Sequence, residues 1–156
     1  MLAHYVTALL VTAITHFVLA IVVFTKGKNP LTSTTYALYS IAIAWWSLLE
    51  AVAISRTTSD AALFWWRMNH VGVIFIPIFF VHFVVSLLEK DQRDKKGLFL
   101  KVVYAVGLTF FALNATSSLI SEVTPKFSFR YFVNPGPAYI AFFSCWISLA
   151  VYGLSE

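Results

Sequence analysis

Hydrophobic and polar positions along this chain alternate in long blocks rather than residue by residue. Five apolar stretches, residues 3–25, 34–54, 61–88, 98–120 and 137–154, are parted by four short polar connectors. A hydrocarbon core about 30 Å thick takes roughly 20 residues of helix, which the first four stretches supply and the fifth nearly does. In lipid a backbone must satisfy its own polar groups, and no stretch has the two-residue alternation of a barrel strand. Each is therefore expected to be helical. The connectors carry breakers and charges: KGKNPLTS (26–33), SRTTSD (55–60), EKDQRDKKG (89–97) and SEVTPKFSFRYFVNPG (121–136). Thr32 or Ser33 is expected to cap the second helix and Ser59 or Asp60 the third, with Pro137 in the first turn of the fifth. The pattern predicts an all-α, polytopic transmembrane helix bundle of five spans, residues 1–156 making a single domain.

Composition agrees with a lipid solvent: 60% of residues are hydrophobic, 12% charged, and mean hydropathy is +0.80. The lipid bilayer is thus the first expected partner. Tyr and Trp fall near the ends of the apolar runs, where an apolar ring with a polar tip suits the membrane interface. The first stretch has no basic leader and no small-x-small site before Lys26, so it reads as a retained span rather than a signal peptide.

Charge adds a direction. Lys26, Lys28, Lys90, Arg93, Lys95, Lys96 and Lys101 collect on one side, and Arg56, Arg67, Lys126 and Arg130 on the other. The first side is expected to be cytoplasmic, which places the N-terminus outside and the end of the fifth span inside. With positives so distributed, the net charge of +4 is a topology signal, and no nucleic-acid partner is expected. The single Cys145 excludes an intrachain disulfide. The short fifth stretch, followed at once by Gly153–Glu156, suggests a domain incomplete at its C-terminus.

Catalytic motifs are missing: there is no P-loop, HExxH, CxxC or GxSxG, so the chain is not expected to be an enzyme or to carry a metal or cofactor. His70 and His82 lie about 18 Å apart along one helix and could not share a metal. A haem reading needs two converging imidazoles on facing helices and is the weaker alternative; a small transporter or permease subunit is the other. Depth singles out one group of residues. Glu50 near the outer end of the second span, Arg67, Asn69 and His70 in the third, and Asn114 with Ser117 in the fourth gather in the outer leaflet. One reading is an outward-opening ligand pocket under the aromatic loop FSFRYFVNPG, with Glu50 and Arg67 as an ion pair; the other is structural hydrogen bonding between helices. Pro77 is a candidate hinge between His70 and His82.

The stretch ALFWWRMNHVGVIFIPIFFVHFVVSLLEK resembles the third helix of the N-terminal seven-transmembrane region of bacterial and archaeal sensor histidine kinases. Trp66, Arg67, Gly72, Pro77 and Phe83 carry the likeness, and YALYSIAIAWWSLLEAVAIS and VNPGPAYIAFFSCWISLAVYG extend it. The resemblance implies a sensory input domain in the cell membrane of a bacterium or archaeon, and a homodimer is the expected assembly. It also implies a cytoplasmic output domain of the same longer chain, such as a histidine kinase. Five spans stand where the family has seven, and none of the four histidines belongs to a phospho-accepting box.

Overall fold

Long apolar runs fold as expected into long helices, which continue through Gly72 and Gly107. The computed structural model describes residues 2–126 and 128–156. In chain order it contains α1 (Leu2–Lys26), α2 (Pro30–Ile54), α3 (Ser59–Leu87), α4 (Lys90–Lys95), α5 (Gly97–Asn114), β1 (Ile120–Lys126), β2 (Phe129–Pro135) and α6 (Tyr139–Ser155). By length and composition α1, α2, α3 and α5 can each cross a membrane, while α6 is apolar but has 17 residues.

Several boundaries differ from expectation. Asn29, not Thr32 or Ser33, caps α2: its side chain accepts from the N–H groups of Leu31 and Thr32, and Pro30 fills the first helical position, where its missing N–H costs nothing. Thr58 precedes α3 without a side-chain capping bond, so Ser59 and Asp60 lie inside the first turn. Pro137 stands before α6, two residues outside its first turn. The connector 89–97 contains the short α4.

The largest correction concerns the fourth stretch, which leaves the helix at Asn114 instead of residue 120. Residues 115–119 form turns, because Thr116 offers its neighbours a competing partner. Its hydroxyl donates to the Leu113 carbonyl at 2.7 Å and accepts the Ser118 N–H at 3.1 Å. The chain then makes a β-hairpin, so the fold is mostly helical rather than all-α. β1 and β2 pair antiparallel, with Val123 opposite Val133 and Glu122 opposite Asn134. β-Branched and aromatic residues favour these strands, and Pro125 is tolerable because a two-stranded sheet has only edges.

Contacts fix how the helices run. Tyr5 meets Glu50, and Ala42 and Trp46 meet Gly72, so α1, α2 and α3 alternate in direction. His82 meets Tyr104 and Arg67 meets Asn114, making α5 antiparallel to α3. Val73 meets Trp146 and Phe80 meets Gly153, making α6 parallel to α3. One end of the bundle thus bears the hairpin, and the other bears Lys26, Lys28 and the lysines around α4.

The bundle packs by different means on the two sides of α3. Ser33, Ala37, Ser40, Ala44, Ser47 and Ala51 are all buried on the face of α2 turned toward α1, spaced alternately four and three. Small residues at that spacing let backbones come close, the main source of helix association where lipid competes for apolar surface. α3 meets the opposite face of α2, at Ala42 and Trp46, and there Gly72 is limiting, since an added Cβ would stand 2.8 Å from the Ala42 carbonyl oxygen. On the other side, Ile74, Ile78, Val103, Leu119 and Phe142 form a bulkier cluster, into which Phe75, Phe79 and Phe110 pack. Even there Gly107 has no room for a Cβ, which would overlap Ile78.

At the lysine-rich end, the Lys96 ammonium lies 2.5 Å from the Glu156 carboxylate and donates to the Tyr152 hydroxyl, also at 2.5 Å. These bonds raise the pKa of Lys96, and the ammonium in turn holds Glu156 below the usual carboxylate range.

Candidate sensory site

α3 touches α2, α5, α6 and both strands, so its hairpin end is where the sequence's polar residues must find partners. Trp66 anchors that end. Its ring packs edge-on against Phe132 at 5.1 Å between centroids, and its indole N–H donates to the Tyr131 carbonyl at 3.3 Å. Ile120 and Val133 are buried with it among Leu9, Ala51, Ala53, Ile54 and Ala62. A hairpin of two strands is marginal alone; here one face is seated on three helices. Its base is closed by the Gly136 and Ala138 N–H groups, which donate to the carbonyls of Leu119 and Ser118.

Of the six candidate ligand residues, Glu50, Asn69, His70 and Asn114 are buried, Arg67 is partly buried, and Ser117 lies exposed in the turn after α5. Their side chains turn to different partners. Asn69 faces α2 and donates to the Trp46 carbonyl at 2.7 Å. Asn114 donates to the Arg67 carbonyl at 2.8 Å. His70 Nδ1 lies 3.0 Å from the Trp66 carbonyl one turn back, and since a carbonyl only accepts, Nδ1 bears the proton. The His70 ring also stands beside Tyr139 of α6.

The expected Glu50–Arg67 ion pair is not formed. Among the described residues the one ion pair is Lys96–Glu156. Glu50 instead accepts from the Tyr5 hydroxyl of α1, while Arg67 donates to the Ile120 carbonyl at 3.4 Å. The reason is azimuth. Asn69 and Gly72 define the face of α3 that meets α2, and Arg67, two residues before Asn69, is turned about 200° from it. Two atoms on adjoining residues are buried and without partners: Arg67 Nε and Asn114 Oδ1. An open donor and an open acceptor in a desolvated place mark the spot where water or ligand polar groups gain most.

Pro77 lies buried within α3, which continues through it. Lacking an N–H, it leaves the Val73 carbonyl without its usual partner one turn on. The Trp146 indole of α6 supplies the replacement, donating to that oxygen at 3.0 Å. Packing around the break is tight, with a cavity of only about 10 Å³ among Pro77, Gly107, Phe142 and Trp146. Nearer the lysine-rich end, His82 is joined to Tyr104 at 2.8 Å and the Thr35 and Ser86 hydroxyls meet at 3.1 Å. Sequence reasoning missed Tyr5, Tyr104 and Trp146. Trp146 had a signal, because a proline within a span implies a donor elsewhere for the carbonyl it frees.

Trp66, Arg67, Gly72, Pro77 and Phe83, on which the likeness to sensor kinases rested, all stand on this central helix. Residues 8–155 match the family model described as the N-terminal 7TM region of histidine kinase, and the chain belongs to that family. It is accordingly a multi-pass membrane sensory domain of the histidine-kinase type. No curated protein and no solved structure matches it.

Proposed function

We propose that this domain receives an extracytoplasmic or membrane-borne stimulus at its hairpin end and relays it to a cytoplasmic output module, a histidine kinase or similar, in a homodimer. The hairpin faces outward, five helices span the bilayer, and the lysine-rich end faces the cytoplasm, in accord with seven basic residues against four. The observation that carries the reading is the Trp146 bond to the carbonyl freed by Pro77, which ties α6 to the one point where α3 can bend. A bias on the outer end of α3 then passes to α6 as a shift between two packings. Arg67 and Asn114 are the ligand contacts best supported, by their open buried atoms. Glu50, Asn69 and His70 hold the frame around them, and Ser117 borders the same end.

The test is ATP-dependent autophosphorylation of the full-length protein in native membranes. Trp146→Phe and Asn114→Leu are each expected to change the basal rate severalfold at unchanged abundance in the membrane. Phosphorylation indifferent to both substitutions contradicts the relay, and a full-length chain without a phosphotransfer or other signalling domain contradicts the output.

A further inference from the structure

Between α1 and α2 an apolar groove opens on the lipid-facing side in two joined parts, with cavity volumes of about 210 and 390 Å³. Phe17 and Ile41 line both parts. Its floor is made of small buried residues, Ala13, Ala20, Ala37 and Ala44, while Phe17 and Ile41 stand 56% and 45% exposed as its walls. From Thr34 to Leu48 it follows α2 for about 21 Å, more than half the hydrocarbon thickness.

The groove ends at the link between its two helices, and that link is basic. Lys26 and Lys28 flank Gly27, within four residues of Phe24 on the groove wall, and both are exposed. Neither forms an ion pair among the described residues. The chain has no Asp or Glu before Glu50, so α1, the link and most of α2 offer these ammonium groups no internal counter-charge. The N–H groups of Leu31 and Thr32 are already taken by Asn29, which leaves the lysines as the attraction for an anion there.

An apolar slot at acyl-chain depth with unneutralised cations at its mouth matches one chemistry. We propose that the α1–α2 groove binds an anionic phospholipid, with an acyl chain along Phe17 and Ile41 and the phosphate at Lys26 and Lys28. A lysine near an anionic membrane surface contributes about fivefold in affinity, so the pair separates anionic from zwitterionic lipid measurably.

The purified protein is mixed with phosphatidylglycerol or phosphatidylcholine of identical acyl chains, and retained lipid is counted by native mass spectrometry. The wild type is expected to keep phosphatidylglycerol in preference, by about fivefold per lysine. K26Q/K28Q should bring the two lipids near parity, Ile41→Trp should reduce retention of both, and K95Q/K101Q should leave the preference unchanged. Equal retention of the two lipids by the wild type overturns the proposal, as does a preference that survives K26Q/K28Q. Ile41→Trp breaking a dimer without altering lipid retention also overturns it, because a second copy would then fill the groove.

Discussion

The two ends of α3 are held in different ways. At the hairpin end, Asn69, Asn114, Arg67 and Trp66 each donate to a backbone carbonyl on another element. At the lysine-rich end, Thr32 donates to the Ser86 carbonyl at 3.3 Å, but the other bonds join side chains to side chains: Thr35 with Ser86, His82 with Tyr104, Lys96 with Tyr152 and Glu156. A carbonyl within a helix or strand is fixed by the ladder around it, so a donor aimed at it locks one backbone to another. A pair of side chains can follow its rotamers and form again after the helices slide. The contrast assigns the hairpin end to a rigid frame and the lysine-rich end to motion, with Pro77 and Trp146 at the border.

Substitutions can break this contrast at several strengths. Trp66→Ala removes the anchor of the hairpin and is expected to cost about 3–5 kcal/mol, read as a fall in thermal stability and faster proteolysis within residues 120–135. Trp146→Phe keeps the ring but leaves the Val73 carbonyl without a donor, a cost of about 1–3 kcal/mol. In a Pro77→Ala background, residue 77 regains its N–H, so the same Trp146→Phe change should cost much less. Equal costs in the two backgrounds would show that the indole bond does not compensate for the proline. Smallest are single hydrogen bonds between helices, about 0.6 kcal/mol on average and up to about 1.7. Asn69→Leu should fall near the upper value, because its acceptor is a fixed carbonyl, and Tyr104→Phe near the lower. A reversed order would remove the distinction between the two ends.

Much of the frame was legible from hydropathy, because lipid imposes one demand on every residue of a span. The starts of α2 and α3 came within a few residues, and Arg67, Asn69 and His70 lie at the same end of the bundle as Asn114. The hairpin was hidden because Leu119 and Ile120 prolong the apolar run of α5, and hydropathy is blind to the unwinding that Thr116 brings about. The Glu50–Arg67 pairing failed for a related reason: position along each helix could be read, but the direction each residue faces could not. Asn69 and Gly72, three residues apart, were the available clue to that direction. The partner of His82 was out of reach, since nothing in the order of residues brings Tyr104 to it. Membership of the histidine-kinase sensory family was legible from the third helix itself, in Trp66, Arg67, Gly72 and Pro77.

The contrast between the ends is tested most directly by distances between the same two helices at each end. In a Cys145→Ser background, one spin-label pair is placed at Ser59 and Ile140 and a second at Leu87 and Leu154, all exposed positions on α3 and α6. Pulsed electron paramagnetic resonance in lipid nanodiscs should give a single narrow distribution for Ser59–Ile140 and a broader or two-peaked one for Leu87–Leu154. Equal widths, or the greater breadth at the hairpin end, would contradict a fixed frame at the hairpin end with its motion beyond Pro77.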